Sequence, residues 1–442
     1  MFLSRRLYIL FSIIIVLLGS GYWFAPMFIV GRVLLVAFAA ATVADVVLLY
    51  LSPRAEGKGK AVQASRQCAD RFSNGDENEV TLFVSSFYPI TVWLNVIDEI
   101  PHVFQRRDIN FQTRIHPYGV QNISYRLRPT ERGVYGFGNI RVFVKSVLGL
   151  VQRRITCGEP RDVKVYPSYL MLHKYELLAI SNRLSELGIK RIRRVGNNTE
   201  FEQIKDYVAG DDFRTINWKA SARRTHLMVN VYQDERSQQV INVIDKGRVM
   251  QHAFNGMTLF DYAINASLVL SYIAMHKEDK AGLCTFSDQF DTFIPAQRSP
   301  GHMQTILDSL YGQQTTFGET DFSALLDAVN RHVTKRSLMI LYTNFSGVVA
   351  MRRQLPYLIQ LARRHRLLVV YFEDAEHKEY VNTRAHTTEE YYQHVVAEKF
   401  IAEQRRISTM LSHHGILNLL TTPENLSPDI VNKYLELKQR GL

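Results

Sequence analysis

Two long apolar runs begin the chain and predict membrane helices. Residues 7–31 contain no charged side chain, and residues 33–51 contain only Asp45. A helix that crosses a membrane needs about 20 mainly apolar residues, so the pattern predicts a transmembrane helical hairpin over residues 1–52. A cleaved signal peptide is the alternative, but the first apolar core is long and a second run follows it at once.

Basic residues on both sides of the hairpin indicate its orientation. Arg5 and Arg6 precede the first run, whereas Arg54, Lys58 and Lys60 follow the second. Because cytoplasmic flanks carry the excess of lysine and arginine, both ends are expected in the cytoplasm. The sequence therefore predicts a protein of the inner (cytoplasmic) membrane with two helices, whose soluble domains lie in the cytoplasm.

Asp45 is the one charged residue inside the second run. A carboxylate is costly in hydrocarbon, which by default indicates a partner or an oligomer contact. The alternative is that Asp45 lies near the end of a tilted helix, and the sequence leaves both interpretations open.

The hydrophobic period changes twice after the hairpin. Residues 53–65 form a polar linker, and residues 66–167 carry short alternating runs between turn signals, which predict an antiparallel, immunoglobulin-like β-sandwich. Residues 237–442 contain continuous apolar strands that alternate with helices, which predicts a doubly wound parallel α/β domain with C-terminal helices. The expected fold class is α/β, with a membrane hairpin and a β-sandwich ahead of the parallel sheet.

Composition narrows the function classes. The net charge is +11, but the basic residues are dispersed, so we expect contact with anionic lipid and no binding of nucleic acid. The three cysteines, Cys68, Cys157 and Cys284, are isolated, which favours neither a zinc site nor a disulfide framework. Phosphate-binding loops of the P-loop type and the GxSxG and HExxH motifs are absent from the sequence, so no enzyme activity is expected.

The segment between the two soluble domains, residues 168–236, carries the most specific motif. An amphipathic helix is expected near residues 170–187, followed by a basic cluster at 190–194. The motif itself consists of Gly210, Asp211, Asp212, Arg214, Ile216, Asn217, Trp218, Lys219, Ala220 and Arg223. It resembles the central signature of the bacterial DUF58 proteins, and the order of parts along the whole chain resembles theirs.

The resemblance implies a membrane-anchored, non-enzymatic protein whose last domain is similar to von Willebrand factor A (VWA) domains. It also implies a partner, a MoxR-type AAA+ ATPase, with other VWA-domain membrane proteins as further candidates. The expected role is an adaptor in the assembly or maturation of cell-envelope complexes or of metal- and cofactor-dependent complexes. The alternatives are a metal-dependent VWA ligand-binding receptor and a cryptic hydrolase.

The charges of the signature allow three interpretations, of which a catalytic pair of acids is disfavoured because adjacent carboxylates in an extended segment point to opposite faces. Its adjacent carboxylates, Asp211 and Asp212, could pair with the cationic groups of Arg214, Lys219 or Arg223 in a partly buried clasp. The segment could instead be a docking surface for another protein, anchored by the indole of Trp218. We favour the clasp, because buried ionic networks are commonly structural.

A second candidate site follows the first strand of the α/β domain. VWA domains that this chain resembles bind Mg²⁺ through an Asp-x-Ser-x-Ser turn, a threonine and a second aspartate. Asp245 and Thr320 match that pattern, but Gly247 and Val249 stand in place of the serines, and Asn344 replaces the second aspartate. Mg²⁺ needs several hard oxygen ligands, so we expect no metal and no other cofactor.

The same turn carries positive charge where a metal would need compensation. Lys246 and Arg248 flank Gly247, and we expect this turn to be exposed and to receive an acidic segment of a partner. The predicted partner-binding residues are Lys246, Gly247, Arg248, Thr320, Asp321 and Asn344. The alternative is that both cations are solvated, or pair internally with Asp245 or Asp321.

Overall fold

The computed structural model describes residues 2–50, 61–168, 200–373, 381 and 386–440, apart from residues 105, 107, 108, 209, 210, 212, 225, 234–236 and 316. It divides into two compact units, Met1–Tyr166 and Pro167–Leu442. The helix expected near 170–187, the basic cluster at 190–194, and the signature residues Gly210 and Asp212 lie outside the described residues.

The first unit combines helices with sheets that are antiparallel except for one parallel pair of strands, Arg71–Ser73 and Arg161–Tyr166. Its helices are α1 (Arg5–Ser20) and α2 (Ala25–Tyr50). Its strands are β1 (Phe2–Leu3), β2 (Val62–Cys68), β3 (Arg71–Ser73), β4 (Asn78–Ser86), β5 (Val92–Asp98), β6 (Asn110–Ile115), β7 (Val120–Leu127), β8 (Gly133–Phe137), β9 (Ile140–Lys145), β10 (Val151–Cys157) and β11 (Arg161–Tyr166).

These strands form three sheets around one hydrophobic core. The orders are β1-β10-β9-β5-β6, β2-β4-β7 and β3-β11-β8. On β4, for example, Val80, Leu82 and Val84 are fully buried, and the residues between them are less buried. This period of two produces a strand with one core-facing side, as the alternating pattern predicts. Strand β1 had no sequence signal, and it extends the first sheet by pairing Leu3 with Val151.

One described helix is long and apolar enough to cross a membrane. It covers Pro26–Tyr50 of α2, with a mean hydropathy of 2.4 in its most apolar window. Helix α1 has 16 residues, so at 1.5 Å per residue it extends over roughly 24 Å, short of the ~30 Å hydrocarbon layer. The expectation of two full transmembrane helices is therefore not supported, and one candidate span remains.

The β-sandwich begins earlier than the sequence indicated. Ala61, Val62 and Ala64 are buried in its core, and strand β2 starts at Val62. Residues 61–65 were expected to belong to a linker. They belong to the sandwich because they pair with β4, from Val62 opposite Ser86 onward.

The second unit is built on a mixed sheet. Its strands are β12 (Glu200–Asp206), β13 (Met228–Gln233), β14 (Gln239–Asp245), β15 (Ala253–Phe254), β16 (Met257–Thr258), β17 (Lys280–Phe286), β18 (Phe290–Gln297), β19 (Leu338–Tyr342), β20 (Arg366–Phe372) and β21 (Leu417–Thr421). Its helices are α3 (Trp218–Arg224), α4 (Leu259–His276), α5 (His302–Tyr311), α6 (Phe322–His332), α7 (Val348–Arg364), α8 (Thr388–His413) and α9 (Leu426–Gln439).

Six of these strands form the main sheet in the order β18-β17-β14-β19-β20-β21. All neighbours pair in parallel except the edge strand β18, which is antiparallel to β17. Val240 and Ile244 of β14 pack in a cluster with α4 and α9, whereas Ile241 and Val243 pack in a second cluster with α6 and α7. Both faces of the sheet are thus covered, which explains the continuous apolar strands.

Candidate functional site

Asp245 ends the central strand of the main sheet. From β14 the chain continues through β17 and β18 on one side, and then crosses to β19 on the other. In open α/β sheets, ligands bind outside the carboxyl ends of the strands at such a switch in strand order. The aspartate is therefore in the position where a site is expected.

The structure surrounds this carboxylate with internal hydrogen-bond donors. Asp245 Oδ1 accepts hydrogen bonds from the backbone N–H of Gly247 (2.7 Å) and the hydroxyl of Thr320 (2.8 Å). Its Oδ2 accepts one from the hydroxyl of Thr343, at 2.7 Å. The side chain is fully buried, and this burial raises the pKa of Asp245 to about 6, although the three hydrogen bonds act in the opposite direction.

Thr343 was not among the residues predicted from the sequence. This residue follows directly after β19, the parallel neighbour of β14, so its hydroxyl and the carboxylate of Asp245 reach the same edge of the sheet. The signal that could have found it is a hydroxyl residue at the carboxyl end of an adjacent apolar strand. Thr320, by contrast, was identified from the sequence, and it does contact Asp245.

Gly247 is required by the approach of Thr320. A Cβ atom at position 247 would lie 1.8 Å from Thr320 Oγ1 and 3.0 Å from Asp245 Oδ1. Since real Cβ atoms do not approach other atoms that closely, any side chain there would displace the threonine. The hydroxyl of Thr320 thus occupies space that a serine at position 247 would need.

The donor set of this site does not fit Mg²⁺. Asp245 supplies a carboxylate whose oxygens already accept three hydrogen bonds, and Asn344 Oδ1 accepts the N–H of Phe345 in its own loop at 3.0 Å. Among the residues described by the structure, no group of three His, Cys, Asp or Glu side chains could hold a metal ion. Mg²⁺ would have to displace these hydrogen bonds before it could bind the side-chain oxygens of Asp245 and Asn344.

Lys246 does not have the exposed position that we predicted. Its side chain is buried, and its ammonium group forms an ion pair with Asp291 at 2.5 Å and donates to Gln313 Oε1 at 3.3 Å. Gln313 Oε1 also accepts the hydroxyl of Thr285 at 3.2 Å. The prediction of an exposed turn was wrong for this residue, because its cation pairs with a carboxylate 45 residues later in the chain.

The remaining predicted partner-binding residues are divided between structural and exposed positions. Asp321 caps the N-terminus of α6 by accepting the N–H and the hydroxyl of Ser323, both at 2.7 Å, and these bonds lower the pKa of Asp321. Thr320 and Asn344 are half-buried. Arg248 is exposed, and across the described ranges its guanidinium makes no ion pair. Of the six predicted partner-binding residues, Arg248 is the one whose cation faces solvent.

The signature segment folds around Asn217, which immediately precedes α3. Asn217 Oδ1 accepts the N–H of Ala220 at 2.9 Å, and its amide donates to Asn230 Oδ1 at 2.8 Å. The hydroxyl of Ser221, in the same helix, accepts the N–H of Met228 at 2.9 Å. The two side chains fix α3 against strand β13. Asn217 is thus a structural member of the motif, and Ser221 lies between two of its residues.

The predicted clasp is not formed by the described charges of the motif. Asp211 pairs with Lys205 at 3.0 Å and accepts the N–H of Val208 at 3.0 Å, and both contacts lower the pKa of Asp211. Lys219 and Arg223 are exposed. Asp211 instead stabilises the turn after β12, through contacts with two residues that precede the motif.

The aromatic residues of the signature point outward. Phe213 is 71% exposed and Trp218 is 70% exposed. We define the signature surface as the exposed side chains of Val208, Phe213, Trp218, Lys219 and Arg223. It combines large apolar groups with cations, and it has the opposite character to the enclosed edge at Asp245.

Comparison with known proteins agrees with the signature. Residues 203–387 match the family described as "Protein of unknown function DUF58". The DUF58 match covers the signature from late β12 onward and the main sheet through β20. It supports the family predicted from the motif.

Uncharacterized bacterial proteins are related to the chain over part of their length. Protein YeaD of Bacillus subtilis is 26% identical over 260 residues, which is 57% of this chain and 62% of YeaD. Protein Rv1480 of Mycobacterium tuberculosis is 23% identical over 177 residues, or 40% of this chain and 55% of Rv1480. The chain thus matches less than two thirds of each relative.

A solved structure, the conserved hypothetical protein BatB from Bacteroides thetaiotaomicron, aligns with 46% of this chain and 100% of its own, at 11% identity and a TM-score of 0.30. A similarity this low does not extend the description of the fold beyond the strand order given above.

Proposed function

We propose that this chain is a membrane-anchored docking protein that catalyses no reaction itself and binds a MoxR-type AAA+ ATPase. The observation that carries the proposal is the exposure of Trp218 and Phe213 within the segment that matches DUF58. Tryptophan and arginine are enriched among the residues that dominate binding energy at protein interfaces. Exposed aromatic residues beside cations therefore suit a protein partner.

The charge of the signature surface defines the partner's chemistry. Lys219 and Arg223 are exposed in α3, and that helix contains no acidic residue. A complementary surface would present carboxylates around an apolar pocket that receives the indole of Trp218. An acidic, groove-forming face of the ATPase, or of the client that it acts on, is the occupant that we propose.

The α/β unit belongs, in this proposal, to the VWA-like class with a degenerate metal site. An antiparallel edge strand beside five parallel strands, with an aspartate after the central one, supports the class. The hydrogen bonds from Thr320 and Thr343 to Asp245 support the loss of the metal. The alternative is a metal-dependent receptor, in which Mg²⁺ would have to displace the hydrogen bonds that Thr320 and Thr343 donate to Asp245.

Anchoring by the N-terminal helices completes the proposal. Helix α2 supplies the candidate span, and the pairing of Leu3 with Val151 holds the start of the chain at the β-sandwich that follows α2. Helices α1 and α2 would therefore form a hairpin that enters and leaves the membrane on one side, and the basic residues Arg5 and Arg6 favour the cytoplasm for that side. Both soluble units would then lie in the cytoplasm, where an ATPase can reach the signature surface. The complex would serve the assembly or maturation of envelope or cofactor-dependent complexes.

Binding of the full-length protein in mild detergent to the purified ATPase tests the proposal. Trp218→Ala should raise the Kd by about 30-fold, the effect of losing a dominant interface residue. Tyr392→Ala is the matched control, because Tyr392 is 73% exposed in the same unit but lies outside the DUF58 match. Arg223→Glu should weaken binding more at low salt than at high salt.

The competing face is tested in the same assay. Arg248→Glu should change the Kd little, because the proposed contact lies on the signature surface and the hydrogen-bonding groups around Asp245 are occupied within the unit. A large loss of affinity with Arg248→Glu and none with Trp218→Ala would refute the proposed contact. The binding site for the partner would then be the edge of the sheet at Asp245.

A further inference from the structure

The end of α2 is enclosed by the β-sandwich of the first unit. Leu49 is fully buried, and its carbonyl accepts hydrogen bonds from the hydroxyl of Tyr88 at 2.8 Å and from Arg153 Nη1 at 2.7 Å. The guanidinium of Arg153 also lies 4.6 Å from the ring centroid of Tyr50. The last turns of the candidate span are thus part of a protein core.

Asp45 marks the position along α2 at which the helix enters this core. Its fully buried carboxylate accepts the N–H groups of Leu150 and Val151, both at 2.8 Å, and the hydroxyl of Ser146. The chain itself therefore supplies the partners of this carboxylate. Because a carboxylate is expensive in hydrocarbon, we expect the part of α2 that contacts lipid to end before Asp45.

The loop that holds Asp45 also carries exposed apolar side chains. Residues 146–150 connect β9 to β10, and within them Val147 is 67% exposed and Leu148 is 44% exposed. A soluble hairpin normally has polar residues at its tip. Here the tip of the β9–β10 loop lies beside the point where the apolar helix α2 leaves the core of the β-sandwich. An apolar environment therefore suits the side chains of Val147 and Leu148.

Other exposed hydrophobic residues of the sandwich lie at the same end. Trp93 pairs with Lys145, the residue before the loop, and its neighbour Val92 pairs with Ile115, just before the turn that contains Tyr118. Trp93, Tyr118 and Val120 are each at least 50% exposed. Aromatic side chains with a polar end concentrate at the level of lipid headgroups.

Cations border this end. Ser4 donates its N–H to Leu150 O at 3.0 Å, which places Arg5 and Arg6 next to the loop, and a Cβ at Gly149 would lie 3.4 Å from Arg6 Nη1. The guanidinium of Arg114 lies 5.5 Å from the ring centroid of Trp93. Arginine near an anionic leaflet adds attraction that grows with each such residue.

We infer that this end of the β-sandwich sits in the membrane surface, with Val147 and Leu148 inserted at the boundary between anionic headgroups and acyl chains and with Trp93 and Tyr118 at the headgroup level. The inference rests on the membrane anchoring proposed above. The β-sandwich would then be a membrane-binding domain. A domain that only separated the anchor from the second unit would need neither the exposed apolar residues Val147 and Leu148 nor the exposed aromatic residues Trp93 and Tyr118.

Quenching of a single tryptophan by brominated lipids tests this insertion. The reporter is Leu148→Trp in the full-length protein, with Trp23, Trp93 and Trp218 changed to Phe, in vesicles of phosphatidylcholine and phosphatidylglycerol. Quenching should be strongest with bromines near the headgroup end of the acyl chain, because interfacial side chains reach about 5–10 Å into that boundary.

Two reporters in the same background separate the possible outcomes. Val36→Trp lies on the exposed side of α2 and should be quenched by deep bromines, whereas Glu159→Trp lies in the turn at the opposite end of β10 and should not be quenched. If Leu148→Trp behaves like Glu159→Trp while Val36→Trp is quenched, the inserted loop is refuted and the anchor stands. If Val36→Trp is not quenched either, the anchoring and the inference are both refuted.

Discussion

The edge at Asp245 and the signature surface each come from a short charged stretch of sequence. Most of the charged side chains of the first turn into the protein, whereas those of the second face solvent. At the edge, Asp245 and Lys246 turn inward and find partners within the unit. In the signature, Trp218 and Lys219 turn outward, and the structural contacts come from Asn217 and Ser221. At the edge, Asp245 and Lys246 share the burial of the strand that they end, whereas helix α3 buries Ser221 against β13 and leaves Trp218 and Lys219 in solvent.

The difference also distinguishes two uses of a polar group. Buried polar groups are retained only when they are hydrogen-bonded, so the edge at Asp245 is a closed network in which a missing member leaves others unsatisfied. An exposed indole is solvated, so its removal leaves no buried group of its own domain without a partner. Substitutions should therefore reduce stability at the edge and reduce binding at the signature surface.

The largest effect is expected from Gly247→Ser. The new Cβ would lie 1.8 Å from Thr320 Oγ1, so the threonine must move and its hydrogen bond to Asp245 is lost. Overpacking together with the lost bond should lower the free energy of unfolding by about 3 kcal/mol or more. Urea unfolding of the full-length protein in mild detergent, followed by circular dichroism, measures the change.

Gly312→Ser is the matched control. Gly312 has φ −74°, and a Cβ atom at this position would lie 3.6 Å from its nearest neighbour, Asp308 O, which is an ordinary contact. Equal stability of the two serine variants would show that position 247 is not crowded, and that the edge can open to admit a ligand.

The second effect is a pH dependence at Asp245. Burial raises the pKa of this carboxyl from 3.8 to about 6 in the folded state, so the folded protein holds the proton more tightly than the unfolded chain. Stability from this group is therefore greatest below about pH 4 and falls as the pH rises toward 6, by about 3 kcal/mol in total.

Comparison with Asp245→Asn isolates that dependence, because asparagine does not titrate. The difference in unfolding free energy between the wild type and the variant should shift by about 3 kcal/mol in favour of the variant between about pH 4 and pH 7. A difference that stays constant across this range would mean that the donors of Gly247, Thr320 and Thr343 fully offset the cost of burial.

These two regions show what the sequence could and could not predict. The mixed α/β architecture followed from local apolar periodicity, and the meeting of Asp245 with Thr320 was expected from the resemblance of the two positions to the VWA pattern. Lys246 was placed wrongly because its partner, Asp291, is distant in sequence and lies on the antiparallel edge strand. Asp45 had no predictable partner for the same reason, since Leu150 and Val151 come 105 and 106 residues later.

A smaller loss of stability is expected from Asn217→Ala. The variant loses the hydrogen bond to the N–H of Ala220 at the start of α3 and the bond to the side chain of Asn230. Loss of a helix-capping residue of this type costs about 1 kcal/mol. Arg223→Ala, at an exposed position in the same helix, is the control and should leave the urea midpoint unchanged.

The smallest change in stability is expected from Trp218→Ala, although this residue is the largest in the signature. Its side chain is 70% exposed, so truncation removes little buried area, and the free energy of unfolding should stay within about 0.5 kcal/mol of the wild type. The same urea titration measures it. A loss of about 3 kcal/mol or more would restore the clasp, because only a residue packed within the domain could cost that much. Unchanged stability together with weaker binding to the ATPase would instead assign the indole to the partner, and would place the docking function on the signature surface and not at the closed edge.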